Sequence, residues 1–174
     1  MSKVKKRLLL LPGAYNSPAA RFRIWQFANP LQELGYDVTI RVPFPDRENK
    51  DRYGNTVSTS SRIRSLLRVL TACWIIRDAH KFFAVIINRD IVPELRVTFL
   101  EERIIRKGGR LIFDFDDAIY LGSRKNKVQF ILERVDAVVC GNKFLTGFAR
   151  SYNSDVTVIP SVVDTNLYVP SEKR

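Results

Sequence analysis

The chain has 174 residues, of which 45% are hydrophobic and 27% are charged, so it can bury one sizeable core but is too short for two ordinary domains. Lysine and arginine number 29 against 18 acidic residues, giving a formal net charge of +11. This excess favours an anionic partner, which can be nucleic acid, an anionic membrane surface or a phosphorylated small molecule.

The two cysteines, Cys73 and Cys140, lie in apolar runs, which suits free thiols in a reducing compartment better than a disulfide framework. Pro12 and Gly13 end the first apolar run after four residues, which is shorter than the apolar region of a signal peptide. No run approaches the roughly 20 apolar residues of a membrane span. We therefore expect a cytoplasmic protein, either free or peripheral on the inner face of the membrane.

Short apolar runs alternate six times with segments of helical periodicity. The predicted strands cover residues 7–11, 37–42, 84–88, the run that begins at 110, 137–140 and 156–159. The predicted helices cover residues 19–34, 61–77, 93–107, 125–135 and 143–152. Pro30 should kink or split the first helix, and Gly35 should end it.

Short, right-handed crossovers between such elements predict an α/β fold, a Rossmann-like doubly wound parallel sheet of about six strands with helices on both faces. Residues 43–61 are polar and rich in turn formers, which predicts an irregular excursion. We expect one domain over residues 1–160, followed by a linker over residues 161–174.

The run Arg110-Leu-Ile-Phe-Asp-Phe-Asp-Asp-Ala-Ile-Tyr120 predicts a central strand that ends in carboxylates. Ligands of open α/β sheets bind at the carboxyl ends of the strands. Asp116 and Asp117 are therefore the main site candidates, whereas the alternation of Asp114 with two phenylalanines predicts that it points away from the cleft.

Several segments resemble the amino-terminal domain of GT-B fold glycosyltransferases of the retaining family 4 type. They are Val138-Val-Cys-Gly-Asn142, Lys143-Phe-Leu-Thr-Gly-Phe-Ala-Arg150, Val156-Thr-Val-Ile-Pro-Ser-Val-Val-Asp-Thr165 with Tyr168, and Ser17-Pro-Ala-Ala-Arg-Phe-Arg-Ile-Trp-Gln26 with Leu31 and Gly35. The Ile-Pro-x-x-Val-Asp segment is similar to the hinge between the two domains of that family.

The resemblance implies a hexosyltransferase of the kind used in polysaccharide biosynthesis, of which this chain is the acceptor-binding half. The donor would be a nucleotide diphosphate sugar, and the acceptor a carbohydrate, a lipid-linked sugar or a polymer. The family binds its donor in a carboxyl-terminal domain, which does not follow Tyr168 here. We therefore expect the isolated chain to be inactive and to bind no metal or other cofactor.

Asp116 and Asp117 are the predicted catalytic residues, because their carboxylates can accept hydrogen bonds from sugar hydroxyls or help to deprotonate the acceptor. A second interpretation is that the aspartates cap the following turn or pair with Arg89 or Arg110. A metal-binding Asp-x-Asp is a third interpretation, but that motif belongs to the other large glycosyltransferase fold.

Six further residues are predicted to bind substrate. The resemblance implies that the loop after the first strand offers backbone amides to a donor phosphate or an acceptor. Basic residues near a helix start suggest an anionic ligand, although a solvated basic face would look the same. Residues that follow the third and fifth strands should line the same cleft. These residues are Gly13, Ala14, Arg21, Arg23, Arg89 and Asn142, and Asp90 would lie beside them.

The predicted helix over residues 61–77 combines a wide apolar face with several arginines, which suits a helix lying on anionic lipid. A core-facing amphipathic helix is the other interpretation. The main rival function is a basic binding module for nucleic acid or a protein partner. Nucleic acid is the less favoured partner because Phe22, Trp25, Phe113 and Phe115 fall in core-like patterns instead of among exposed basic residues.

Overall fold

The computed structural model describes residues 5–13, 17–42, 61–89, 91–92, 98–165 and 168–169, and for residues 61–65 it describes the backbone alone. These residues form a six-stranded parallel sheet with the strand order β2-β1-β3-β4-β5-β6. The strands are β1 (Arg7–Pro12), β2 (Asp37–Ile40), β3 (Ala84–Asn88), β4 (Leu111–Phe115), β5 (Ala137–Cys140) and β6 (Val156–Val158). The predicted Rossmann-like α/β fold is confirmed.

Helices cover both faces of the sheet. They are α1 (Pro18–Arg23), α2 (Ala28–Glu33), α3 (Ser61–Ile75), α4 (Phe99–Arg106), α5 (Lys125–Leu132) and α6 (Lys143–Arg150), with 3₁₀ turns at Trp25–Phe27, Ala79–Lys81 and Gly122–Arg124. Within the described residues, none of the helices has both the length and the apolarity needed to cross a bilayer.

The sheet separates a large core from a small one. Helices α3 to α6 pack on one face, where Phe113 and Phe115 of β4 are fully buried. Ile24 and the partly buried Leu31 pack on the other face, against Leu8 and Leu10 of β1. Because both faces are covered, β1 is apolar at consecutive positions instead of alternating.

The first predicted helix is split, but not where the sequence indicated. The break falls at Ile24, after which a 3₁₀ turn leads into α2, and Pro30 is the third residue of α2. A proline in the first helical turn removes no intrahelical hydrogen bond, which is why α2 tolerates it. Leu34, the last residue of the predicted helix, is apolar yet 74% exposed.

Gly35 ends α2 as predicted. Its φ of 90° is left-handed, its amide donates to the carbonyl of Gln32 at 2.9 Å, and the amide of Tyr36 donates to the carbonyl of Leu31 at 3.1 Å. These two bonds form a Schellman motif, which satisfies carbonyls that the helix end would otherwise leave without partners.

Most helices are shorter than predicted, while the strands agree within one or two residues. Helix α5 ends at Leu132, where the Asn153 side chain donates to the carbonyls of Leu132 and Val135 at 2.8 and 2.9 Å. Residues 93–97, where a helix was predicted to begin, lie outside the described residues, as does most of the predicted excursion over residues 43–61. Cys73 and Cys140 are free thiols, as expected.

Candidate functional site

The carboxyl ends of the parallel strands share one edge of the sheet, here named the carboxyl edge. The chain leaves β1 toward one side to form β2 and returns past β1 to form β3, so its direction reverses between β1 and β3. Open α/β sheets bind ligands at such a reversal, outside the carboxyl ends of the strands. The predicted site residues that directly follow a strand at this edge are Gly13, Arg89, Asp116, Asp117 and Asn142.

Arg89 binds both of the predicted catalytic carboxylates. Its Nε and Nη2 atoms donate to Oδ1 of Asp116 at 3.3 and 3.0 Å, and Nη2 also pairs with Oδ2 of Asp117. The side chain of Asp116 is 18% exposed and that of Asp117 is 65% exposed. These three residues are named the edge cluster. Pairing of the aspartates with Arg89, which was one interpretation of the sequence, is therefore present, and the carboxylate of Asp117 is still accessible.

Backbone conformation and a close backbone contact position the residues of the edge cluster. Arg89 has a φ of 63°, a left-handed conformation that costs a residue with a Cβ about 1 kcal/mol or more. A Cβ on Gly141 would lie 3.0 Å from Cα of Asp116 and 3.1 Å from its Cβ, so the turn after β5 touches the turn after β4. The orientation of the cluster is therefore fixed by the main chain.

A second arginine–carboxylate group lies inside the protein. The carboxylate of Asp114 accepts hydrogen bonds from Nε of Arg23 at 3.1 and 3.2 Å, from Nη2 of the same guanidinium, and from Nδ2 of Asn88 at 2.7 Å. Burial raises the pKa of Asp114 above its ordinary value, and the hydrogen bonds from Arg23 and Asn88 oppose that rise. Arg23, Asn88 and Asp114 are named the buried cluster.

Arg23 is buried, although the sequence predicted a residue that binds an anionic ligand or lies on a solvated face. Its side chain is 2% exposed, and its Nη1 atom donates to the carbonyl of Ile159, just after β6. Asp114 points to the side of α1, away from the phenylalanine core. Binding of an anionic ligand by Arg23 stays a prediction.

The remaining predicted residues are not members of either cluster. Asn142 is the N-cap of α6, because its Oδ1 accepts the amides of Phe144 and Leu145 at 3.0 Å each. Arg21 is exposed on α1, and Gly13 is half-buried after β1. Ala14 and Asp90 lie outside the described residues.

Besides Asp114, which was predicted to point away from the cleft, three residues in or next to the two clusters were not predicted as site residues. They are Asn88, Gly141 and Ile159, which contribute an amide, a close backbone approach and a carbonyl. For Asn88 the indication was present, because a polar residue ends an otherwise apolar strand next to the strand of Asp114. The other two act through their backbones, which side-chain patterns do not report.

The segment that follows β6 runs back along α1. Gln26 donates Nε2 to the carbonyl of Val162 at 2.9 Å, and the rings of Phe22 and Tyr168 lie 5.6 Å apart. Together with the bond from Arg23 to Ile159, these contacts attach the predicted linker to the face of α1.

A cavity of about 220 Å³ lies on the α1 side of the sheet. Its apolar lining consists of Leu10, Ile24, Phe27, Leu31, Ile86, Ile112, Val139 and Ile159. The charged groups that it reaches are Arg23 and Asp114, which already bind each other. The cavity therefore offers a hydrophobic surface and no uncommitted charge.

In the part of the chain that the structure describes, no three His, Cys, Asp or Glu side chains are placed so that they could hold a metal ion together. The two carboxylates of the edge cluster both pair with Arg89, whose single positive charge leaves the cluster one negative charge.

Comparison with known proteins gives no independent assignment. No protein-family model matches the chain, and no curated protein is significantly similar to it. Its function is therefore inferred from the edge cluster, the fold and the sequence motifs.

Proposed function

We propose that the chain is the acceptor-binding half of a glycosyltransferase that moves a sugar from a nucleotide diphosphate sugar to a carbohydrate, lipid-linked or polymer acceptor. The observation that carries this proposal is the edge cluster, in which an accessible aspartate and an arginine sit where a parallel sheet binds ligands. The Ile-Pro-x-x-Val-Asp motif that follows β6, residues 159–164, supports it independently.

Asp117 has the better exposure for a direct role. An ionised carboxylate accepts hydrogen bonds from hydroxyl groups and can take the proton of an acceptor hydroxyl as the glycosidic bond forms and the nucleotide diphosphate leaves. Arg89 and Asp116 then act as positioning residues, because their ion pair fixes the guanidinium that holds Asp117.

The charge of the protein favours the same substrate class. A net charge of +11 draws anionic molecules toward the surface, which would raise the local concentration of a donor that is charged on its diphosphate even though a second domain would bind it. The resemblance to family 4 assigns donor binding to a second domain. We therefore expect the chain alone to bind an acceptor weakly and to catalyse no transfer.

The test is a transfer assay on the natural gene product with a panel of nucleotide diphosphate sugars and with glycan and lipid-linked acceptors. Wild-type protein should form a glycosidic product visible by mass spectrometry, and Asp117→Asn should lower the rate about 100-fold or more, as expected for loss of a general base. Asp155→Asn, which alters an exposed aspartate directly before β6, is the matched control and should keep the wild-type rate.

Two results would count against the proposal. One is the absence of transfer from every donor, and the other is an unchanged rate in the variant that lacks both Asp116 and Asp117. Efficient transfer by residues 1–174 alone would show that the division into acceptor and donor halves is wrong.

A further inference from the structure

Helix α3 has two apolar faces, and only one of them packs on the sheet. Ala72, Ile75 and Ile76 are buried in the large core. On the other face, four large side chains are between 56% and 60% exposed: Leu66, Leu67, Leu70 and Trp74. The core-facing interpretation therefore holds for one face of the helix, and lipid contact by the other face stays a prediction.

The exposed side chains form a continuous stripe. Leu66, Leu70 and Trp74 are four residues apart, so they lie above one another on successive turns, and Leu67 widens the stripe. Exposed leucine and tryptophan side chains on consecutive turns are unusual on a protein surface. They are typical of a surface that contacts a membrane or another protein.

Positive charge accompanies the stripe. The sequence of α3 contains Arg62, Arg64 and Arg68 and no acidic residue. Beyond its end, the guanidinium of Arg77 lies 4.4 Å from the ring centre of Trp74. An apolar stripe that ends beside Arg77, on a helix whose sequence has no acidic residue, complements the anionic headgroups and acyl chains of a lipid surface.

The stripe is held outward by the fold. Arg41, just after β2, donates to the carbonyl of Ile75 and forms an ion pair with Asp78, so the last turn of α3 is bound to the edge of the sheet. Lys107 donates to the carbonyl of Arg77 at 3.1 Å. These contacts fix the side of the molecule on which the stripe points.

We propose that α3 docks the protein onto an anionic lipid bilayer, lying in the plane of the interface with Leu66, Leu70 and Trp74 among the acyl chains and Arg77 at the headgroups. Tryptophan suits the interface because its ring combines an apolar body with a polar N–H group. This inference does not depend on sugar transfer, and each can fail without the other.

The first test uses tryptophan fluorescence on an intact stripe. The chain has two tryptophans, so Trp25→Phe leaves Trp74 as the sole reporter. We expect a blue shift and quenching by brominated lipid with vesicles that contain phosphatidylglycerol, and neither effect with phosphatidylcholine alone. Added salt should weaken binding, because the headgroup attraction is screened.

The second test compares the same substitution at two exposed leucines. Leu70→Glu should lower the partition coefficient for anionic vesicles about ten-fold or more, because it places a charge in the apolar stripe. Leu34→Glu, at the end of α2 on the opposite face of the sheet, should leave it unchanged. Thermal melting establishes that both variants fold.

Equal binding by the two variants, or no binding and no fluorescence change with anionic vesicles, would overturn the proposal. So would self-association of the wild-type protein in the absence of lipid that Leu70→Glu abolishes, because the stripe would then be an interface between copies. Burial of Trp74 beneath residues 43–60, detected as low accessibility to a soluble quencher without lipid, would also overturn it.

Discussion

The buried cluster and the edge cluster each contain an arginine–aspartate ion pair, and their aspartates, Asp114 and Asp116, are only two residues apart along the chain. The two clusters differ in their access to water. In the buried cluster the Arg23 and Asp114 side chains are 2% and 6% exposed, and Asn88 supplies a further hydrogen bond. In the edge cluster Asp117 is largely exposed. A buried charge cannot lose its partner without a large penalty, whereas an exposed one can exchange it for a ligand at little cost. The first cluster therefore fixes the structure, and the second is available for binding.

Removal of one carboxylate from each cluster should give the largest difference in stability between the two clusters. Asp114→Ala leaves the Arg23 guanidinium buried without its ion-pair partner and should lower the free energy of unfolding by about 3–5 kcal/mol. Asp117→Ala should change it by less than about 1 kcal/mol. Urea denaturation of both variants measures the difference.

A double substitution serves as the control for that result. Arg23→Met combined with Asp114→Leu removes both charges together and should recover much of the lost stability, since a buried ion pair can often be replaced by apolar side chains. Equal losses in the two single variants would contradict the assignment of a structural role to the buried cluster alone.

Gly141→Ala should disturb the edge cluster through its backbone. The added methyl group would meet Cα and Cβ of Asp116 at 3.0 and 3.1 Å, and relieving that contact should cost about 1–3 kcal/mol of stability. Gly147→Ala is the matched control, because a Cβ at that position of α6 meets no heavy atom within 4 Å. We expect Gly147→Ala to be neutral or stabilising, and thermal denaturation distinguishes the two.

Arg41 and Asp78 form a pair of intermediate exposure, with 24% of each side chain accessible. The side-chain hydrogen bond from Arg41 is the main cause that lowers the pKa of Asp78 from 3.8 to about 2. Because the pKa is lower in the folded state, the stabilisation is complete above about pH 4 and is lost as the pH falls toward 2. We expect a contribution of about 1–2 kcal/mol, discounted for partial exposure.

Stability measured against pH for Asp78→Asn tests that contribution. The variant should be less stable at neutral pH and should lose less stability between pH 4 and pH 2 than the wild-type protein does. Asp37→Asn, which alters the more exposed pair with Arg7, should stay within about 0.5 kcal/mol. A wild-type pH profile in Asp78→Asn would disprove the assignment.

Two substitutions of Arg89 separate its backbone strain from its ion pairs. Both Arg89→Gly and Arg89→Ala remove the guanidinium, but only glycine adopts a φ of 63° without a Cβ penalty. Arg89→Gly should therefore be more stable than Arg89→Ala by about 1 kcal/mol, measured by chemical denaturation. Equal stability would indicate that the left-handed conformation of Arg89 carries no strain.

The sheet was predictable because β3 and β5 are short apolar runs between turn formers, and a parallel order follows from the alternation with helices. Arg89 could be weighed as a partner of the aspartates because both follow predicted strands that end at one edge. The N-cap role of Asn142 was also within reach, since asparagine directly before a helix is a common cap.

The buried cluster was not predictable in the same way. Arg23 and Asp114 are 91 residues apart, and their contact exists only because α1 packs over the end of β4. The outward stripe of α3 has a similar cause. Helical periodicity shows that Leu66 and Leu70 share a face, but which face the sheet covers is decided by tertiary packing, which buried Ile75 and Ile76 instead.

The most direct test of the central claim is the rate of sugar transfer per folded molecule in Asp117→Asn and Asp114→Asn forms of the natural gene product, with the unfolding free energy measured on the same samples. We predict that Asp117→Asn keeps wild-type stability and lowers the transfer rate about 100-fold or more. Asp114→Asn should be destabilised, but its transfer rate per folded molecule should stay within a few-fold of wild type. Wild-type transfer by Asp117→Asn together with an inactive, folded Asp114→Asn would contradict the assignment of binding to the edge cluster.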